Sequence, residues 1–116
     1  MDKLLKLAVE IAKKVNGKRY NFVAIITDSK NRILSIGINS YNKTHPMQQK
    51  YADKDNQHDK IYLHAEIDAL VKCKKVPFAI YVARVNKSGQ VRMAKPCSIC
   101  ERAILESGIK EIRYTK

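Results

Sequence analysis

Three cysteines occur in 116 residues, and two of them, Cys97 and Cys100, fall in the run Pro96-Cys97-Ser98-Ile99-Cys100. Two thiols at this spacing can share a metal ion or close a disulfide. The odd cysteine count and the lack of a disulfide framework favour a metal site or a redox dithiol in a reducing compartment. A further donor stands upstream in His64-Ala65-Glu66. His64, Cys97 and Cys100 together offer one nitrogen and two sulfurs, the number of ligands a catalytic zinc uses while a fourth position stays open for water. Glu66 is close enough to His64 to reach that water without binding the metal. A carboxylate suits the task because it can pass a proton both ways beside a cation, and aspartate would be one methylene short.

These residues need elements that bring them together. "LHAEIDALVKC" is rich in helix formers and should be a helix that starts near His64, and "PCSICERAILESG" reads as a second helix, opened by Pro96 and closed by Gly108. The run "FAIYVARV" between them is a strand, so both helix starts arrive at the same end of a sheet. Positive helix ends there help keep the thiols ionised. Upstream, Leu4, Leu7, Ala8, Ile11, Ala12 and Val15 repeat at helical spacing, which predicts an amphipathic helix over Lys3 to Asn16 with Gly17 as its stop. Phe22 to Thr27 and Ile33 to Ile38 read as a hairpin around "DSKN". Ser40 to Ile61 is a long polar connection without a clear period, and such loops in compact domains are usually functional or disordered. "NKSGQ" is a turn, "VRMA" continues the sheet or pairs back on it, and "IKEIRYT" is a last short strand. The predicted fold is α/β, a single domain over 1–116 with one sheet flanked by helices.

The order H-x-E followed by P-C-x-x-C, on two helix starts with a strand between, is the signature of zinc-dependent nucleobase deaminases. On "LHAEIDAL" and "KPCSICERAI", the chain resembles the cytidine and deoxycytidylate deaminase superfamily, and "VNKSGQVRMAK" before the second motif is similar to small phage and bacterial deaminase-like proteins. The resemblance implies a three-layer α/β/α sandwich with a central mixed sheet of four to five strands. It also implies Zn2+ on His64, Cys97 and Cys100, and Glu66 as the catalytic proton shuttle. Asn39, in "GIN", would contact the substrate sugar or base, and Ala65 belongs to the same substrate-binding set. The implied reaction turns a ring amine of a cytosine-type nucleoside or nucleotide into a carbonyl. The implied assembly is a homo-oligomer.

Alternatives stand beside these readings. A closed structural zinc would need Cys73 as fourth ligand, yet nine residues of helix put it about 13 Å from His64. His45 and His58 read as surface histidines of the long connection. Tyr41, Tyr51 and Tyr62 could stack on a base or anchor packing. The chain carries 23 Lys and Arg against 11 Asp and Glu, a net charge of +12, which attracts anions and keeps single-stranded nucleic acid open as a partner. The basic residues are scattered, however: Lys13, Lys14, Lys18, Arg19, Lys72, Lys74, Lys75 and the 84–95 segment contribute small groups. No apolar run approaches the ~18–20 residues of a bilayer span, and "MDKLLKLAVEIAKK" is no signal-peptide core, so the expected setting is cytoplasmic with no membrane partner.

Overall fold

From Val23 to Thr27 the strand β1 (Tyr20–Thr27) is buried on both faces, because helices cover the sheet on each side. The computed structural model describes residues 2–15 and 20–116. Among these, five strands form one mixed sheet and four helices pack on it. β1 pairs antiparallel with β2 (Ile33–Ile38) on one edge and with β3 (Ala79–Asn86) on the other. The far edge of β3 is shared. β5 (Glu111–Tyr114) runs parallel to Ala79–Val82, and β4 (Val91–Arg92) runs antiparallel to Arg84 and Val85.

The expected α/β/α layering follows from the pleat, which sends alternate side chains to opposite faces. Val23, Ile25, Tyr81, Ala83 and Val85 pack under α1 (Lys3–Lys14), against its Leu5, Ala8, Val9 and Ala12. Ala24, Ile26, Ile80 and Val82 face the other way, toward Ala65 and Ala69 of α3 (Ala65–Lys72) and Ile104 of α4 (Ser98–Glu106). No helix among the described residues is long and apolar enough to cross a membrane.

α3 lies directly on the backbone of β2. A Cβ added at Gly37 would meet the Ala65 carbonyl oxygen at 2.1 Å and the Ala69 nitrogen at 2.4 Å, so only glycine permits this approach. Ser35 Oγ donates to the Ala69 carbonyl at 2.8 Å, and Asp68 Oδ2 accepts the Ile38 N–H at 3.0 Å. These bonds hold the start of α3 beside the end of β2.

Three predicted boundaries change. α1 stops at Lys14, since Val15 is already extended and its carbonyl accepts a hydrogen bond from Asn21 Nδ2; Asn16 and the predicted stop Gly17 lie outside the described residues, as do Lys18 and Arg19. α4 is capped by Cys97, so Pro96 precedes the cap instead of opening the helix; Gly108 follows it at φ 88°, as a chain reversal after a helix requires. The third change is a helix inside the polar connection, α2 (Pro46–Lys54). His45 caps it by accepting the Met47 N–H at Nδ1, and Pro46 occupies its first turn. Its buried residues are Gln48, Tyr51 and Ala52, and a polar side chain among three inward positions hides the helical period.

Candidate metal centre

His64 and Cys97 are the N-caps of α3 and α4, and Cys100 sits in the first turn of α4. The intervening β3 brings both helix starts to one end of the sheet, as the sequence order predicts. His64 Nδ1 and the two Sγ atoms all lie within 4.8 Å of one another. Nδ1 is 3.2 Å from Cys100 Sγ and 3.6 Å from Cys97 Sγ. A tetrahedral zinc with bonds of about 2.0–2.3 Å separates its donors by about 3.5 Å, close to the two distances from His64 Nδ1, so the donor set suits the ion. Cys73, by contrast, is the C-cap at the far end of α3 and gives its thiol to the Lys75 carbonyl.

The charges of these side chains are mutually dependent. The Cys100 thiol donates to Cys97, which, against the cost of burial and with help from His64, pulls the Cys97 thiol down to about 4. The same hydrogen bond, together with burial and the nearby Glu66, pushes Cys100 well above the ordinary thiol range. Burial would lower the His64 pKa, but the hydrogen bond and charge of Cys97 outweigh it and raise it. Burial likewise raises the Glu66 carboxyl, more than its backbone contact and His64 lower it. The protein thus places more acidic groups at two helix starts than can ionise together. A divalent cation relieves that crowding.

Helix α2 holds both ligand-bearing helices. Gln48 is fully buried; its Oε1 accepts the His64 backbone N–H at 3.1 Å and its Nε2 donates to the Lys60 carbonyl at 3.0 Å. Asp55, the C-cap of α2, accepts hydrogen bonds from Ser98 Oγ and Gln57 Nε2, which hold its carboxyl below the usual range. Ser98 follows Cys97 directly. Arg102 Nη1 reaches the Lys54 carbonyl at 3.0 Å, and Tyr51 donates to Glu106 at 3.1 Å. Of the two remaining histidines, His45 is spent on its cap and His58 on Asp53 at 2.7 Å.

A cavity of about 350 Å³ opens onto this cluster. Its walls include His64, Ala65, Glu66 and Cys97, with Phe22 and Arg84 from the sheet, Asn39, Ser40 and Tyr41 after β2, and Tyr62, Leu63, Met93 and Lys95. Ala65 and Asn39, the two residues expected to bind substrate, are among the lining residues. Asn39 is also structural: Oδ1 accepts the Phe22 N–H at 3.0 Å and Nδ2 donates to the Tyr20 carbonyl at 3.3 Å. Tyr41 and Tyr62 border the cavity with about half their surface exposed, whereas Tyr51 is a buried anchor. Sequence reasoning missed Gln48 and Arg84 as individuals. A cue for Arg84 was available, since in "YVARV" it occupies the same face as Val82, which is wholly buried.

Residues 1–116 match the family model described as the cytidine and deoxycytidylate deaminase zinc-binding region. A comparison with curated proteins finds no match. Among solved structures, the chain is similar to the crystal structure of dCMP deaminase from the cyanophage S-TIM5 in apo form. The TM-score is 0.59 at 21% identity, over 98% of this chain and 84% of that one. This likeness is one of fold.

Proposed function

The chain belongs to the cytidine and deoxycytidylate deaminase family, and from that premise we propose that it is a zinc-dependent hydrolytic deaminase of a cytosine-type nucleoside or nucleotide. The observation that carries the reading is the His64, Cys97 and Cys100 cluster at the wall of a cavity that also holds the Glu66 carboxyl. His64, Cys97 and Cys100 would hold a zinc ion, which when bound would acidify water and so supply hydroxide near neutral pH.

The protein's own groups do the rest. Glu66 is buried with a raised pKa, which suits a group that must accept and release a proton near neutral pH. It takes one proton from the attacking water and passes it to the ring nitrogen, then takes the second from the added hydroxyl and passes it to the departing amine. Ammonia leaves and a carbonyl remains. Ala65 and Asn39 line the space beside the reacting ring and contact the substrate, and Leu63 and Phe22 help keep water from the rest of it. Homo-oligomeric assembly, which the family resemblance implies, belongs to the same proposal and is read from the protein's mass in solution. So does a cytoplasmic setting, read by fractionation.

A second reading, deamination of a cytosine or adenine within single-stranded DNA or RNA, draws on Tyr41 and Tyr62. They border the cavity while 52% and 51% exposed, as stacking platforms for neighbouring bases are. One panel tests both. Zinc-loaded protein is incubated with cytidine, deoxycytidine, their monophosphates, the adenine equivalents and single-stranded oligonucleotides, and the amine-to-carbonyl change is read by mass. The expected result is turnover of a free cytosine compound, with Glu66→Gln retaining zinc and losing about 10²–10⁴-fold in rate. Turnover confined to oligonucleotides would favour the second reading. Full activity of Glu66→Gln would remove the proton-shuttle role.

A further inference from the structure

Arg84 stands near the C-terminal end of β3, paired with Phe22 across the sheet. It continues the row of Ile80 and Val82 toward the cavity, two residues at a time along one face. Where that apolar row ends, a guanidinium replaces the aliphatic chain. Its central carbon lies 4.0 Å from the centroid of the Tyr20 ring and 5.3 Å from that of Phe22, so the two rings fix its plane.

The guanidinium is held in place but poorly used. Among the described residues Nε is buried without a hydrogen-bond partner, and Nη1 donates to the Met93 carbonyl at 3.4 Å. Among the described residues no carboxylate forms an ion pair with Arg84, nor with Lys95, the second cation on the cavity wall. A cation that lines a cavity without a carboxylate partner leaves its charge for an anion that enters there, and Arg84 and Lys95 are both on that lining. A rigid fork of donors matches the oxygens of a phosphate. The cavity volume of about 350 Å³ is in the range that encloses small-molecule ligands, beyond a bare ring.

We propose that Arg84, with Lys95 of the same cavity lining, binds a phosphate ester of the substrate, so that this cavity selects nucleotides over nucleosides. The inference rests on the deaminase reading, which puts the base at Glu66 and the metal ligands and leaves the lining that Arg84 contributes for what the sugar carries. The phosphate can come from a mononucleotide or from the backbone of a strand.

The test measures binding, apart from turnover. Zinc-loaded protein and the variants Arg84→Gln and Arg84→Lys are titrated with cytidine, cytidine 5′-monophosphate, their deoxy forms and a short single-stranded cytosine oligonucleotide. Deamination of each is followed separately by mass. The expected result is that the monophosphate binds about tenfold or more tightly than the nucleoside, as a charge-assisted hydrogen bond provides. That ratio should collapse in Arg84→Gln and survive in part in Arg84→Lys, which keeps the charge and most of the packing should the glutamine variant fold poorly. Arg84-dependent binding of the oligonucleotide alone would support the same site and assign the phosphate to a strand. Equal affinity for phosphorylated and unphosphorylated ligands, or a preference that persists in both variants, would overturn the proposal. Arg84-dependent binding without deamination of any ligand would overturn the deaminase reading and leave the phosphate site standing. Deamination indifferent to phosphate and to Arg84 would do the reverse.

Discussion

Cys97 and Cys100 share a helix turn and a histidine, yet their thiols are driven in opposite directions. Cys97 is held as a thiolate down to about pH 4 by the thiol of Cys100, which gives up its own acidity in doing so. Cys97 is also exposed and Cys100 wholly buried. Thiolates, not thiols, are alkylated. In chelator-stripped protein, iodoacetamide should therefore modify Cys97 first, with a rate nearly constant from pH 8 to pH 5. An ordinary thiol with a pKa near 8.5 slows about tenfold per pH unit over most of that range. Added zinc should suppress the reaction, because the sulfur is then a ligand. Peptide mass mapping identifies the labelled residue; equal labelling of both cysteines, or a rate that falls throughout the range as for a free thiol, would mean that the two do not divide one charge in this way.

At the scale of elements, the centre depends on a helix that carries none of its ligands. α2 reaches α3 through Gln48 and the His64 backbone, and reaches α4 through Asp55 and Ser98. Supporting hydrogen bonds around metal ligands are worth about 10–100-fold in affinity. Gln48→Leu keeps the buried volume roughly constant but leaves the His64 N–H without its acceptor, so zinc affinity measured against a competing chelator should fall by about that factor. Undiminished affinity would show that β2 and α4 suffice to place His64. This arrangement also marks the limit of what the residues alone reveal. The ligand helices announce themselves through Ala65, Ala69 and Leu70 on overlapping faces, and the hairpin through two β-rich runs about a polar turn. His64, Glu66, Cys97 and Cys100 are legible because metal chemistry tolerates few residue types at that spacing. α2 is not, since its inward positions include a glutamine whose purpose is a bond to a backbone 16 residues away, and Arg84 becomes meaningful only once folding sets it against Tyr20 and Phe22.

For the whole molecule, the question is what a charge of +12 does when, among the described residues, two cations line the cavity. Lys3, Lys6, Lys13 and Lys14 belong to α1, on the sheet face opposite α3 and α4. Lys72, Lys74 and Lys75 cluster at the end of α3 remote from His64. The two that line the cavity itself are Arg84 and Lys95. Charge on the far layer raises the general attraction for anions but cannot contact a strand whose base is held at Glu66. Each phosphate neutralised on a single strand contributes about −0.7 to the slope of log affinity against log salt concentration. A short cytosine oligonucleotide should consequently show a slope near −1.4, the value for about two contacts, and Arg84→Gln should reduce it by about half. A slope of about −4 or steeper would mean that the scattered lysines form a continuous track around the molecule. In that case the strand, not the mononucleotide, would be what the protein's charge distribution is built to hold.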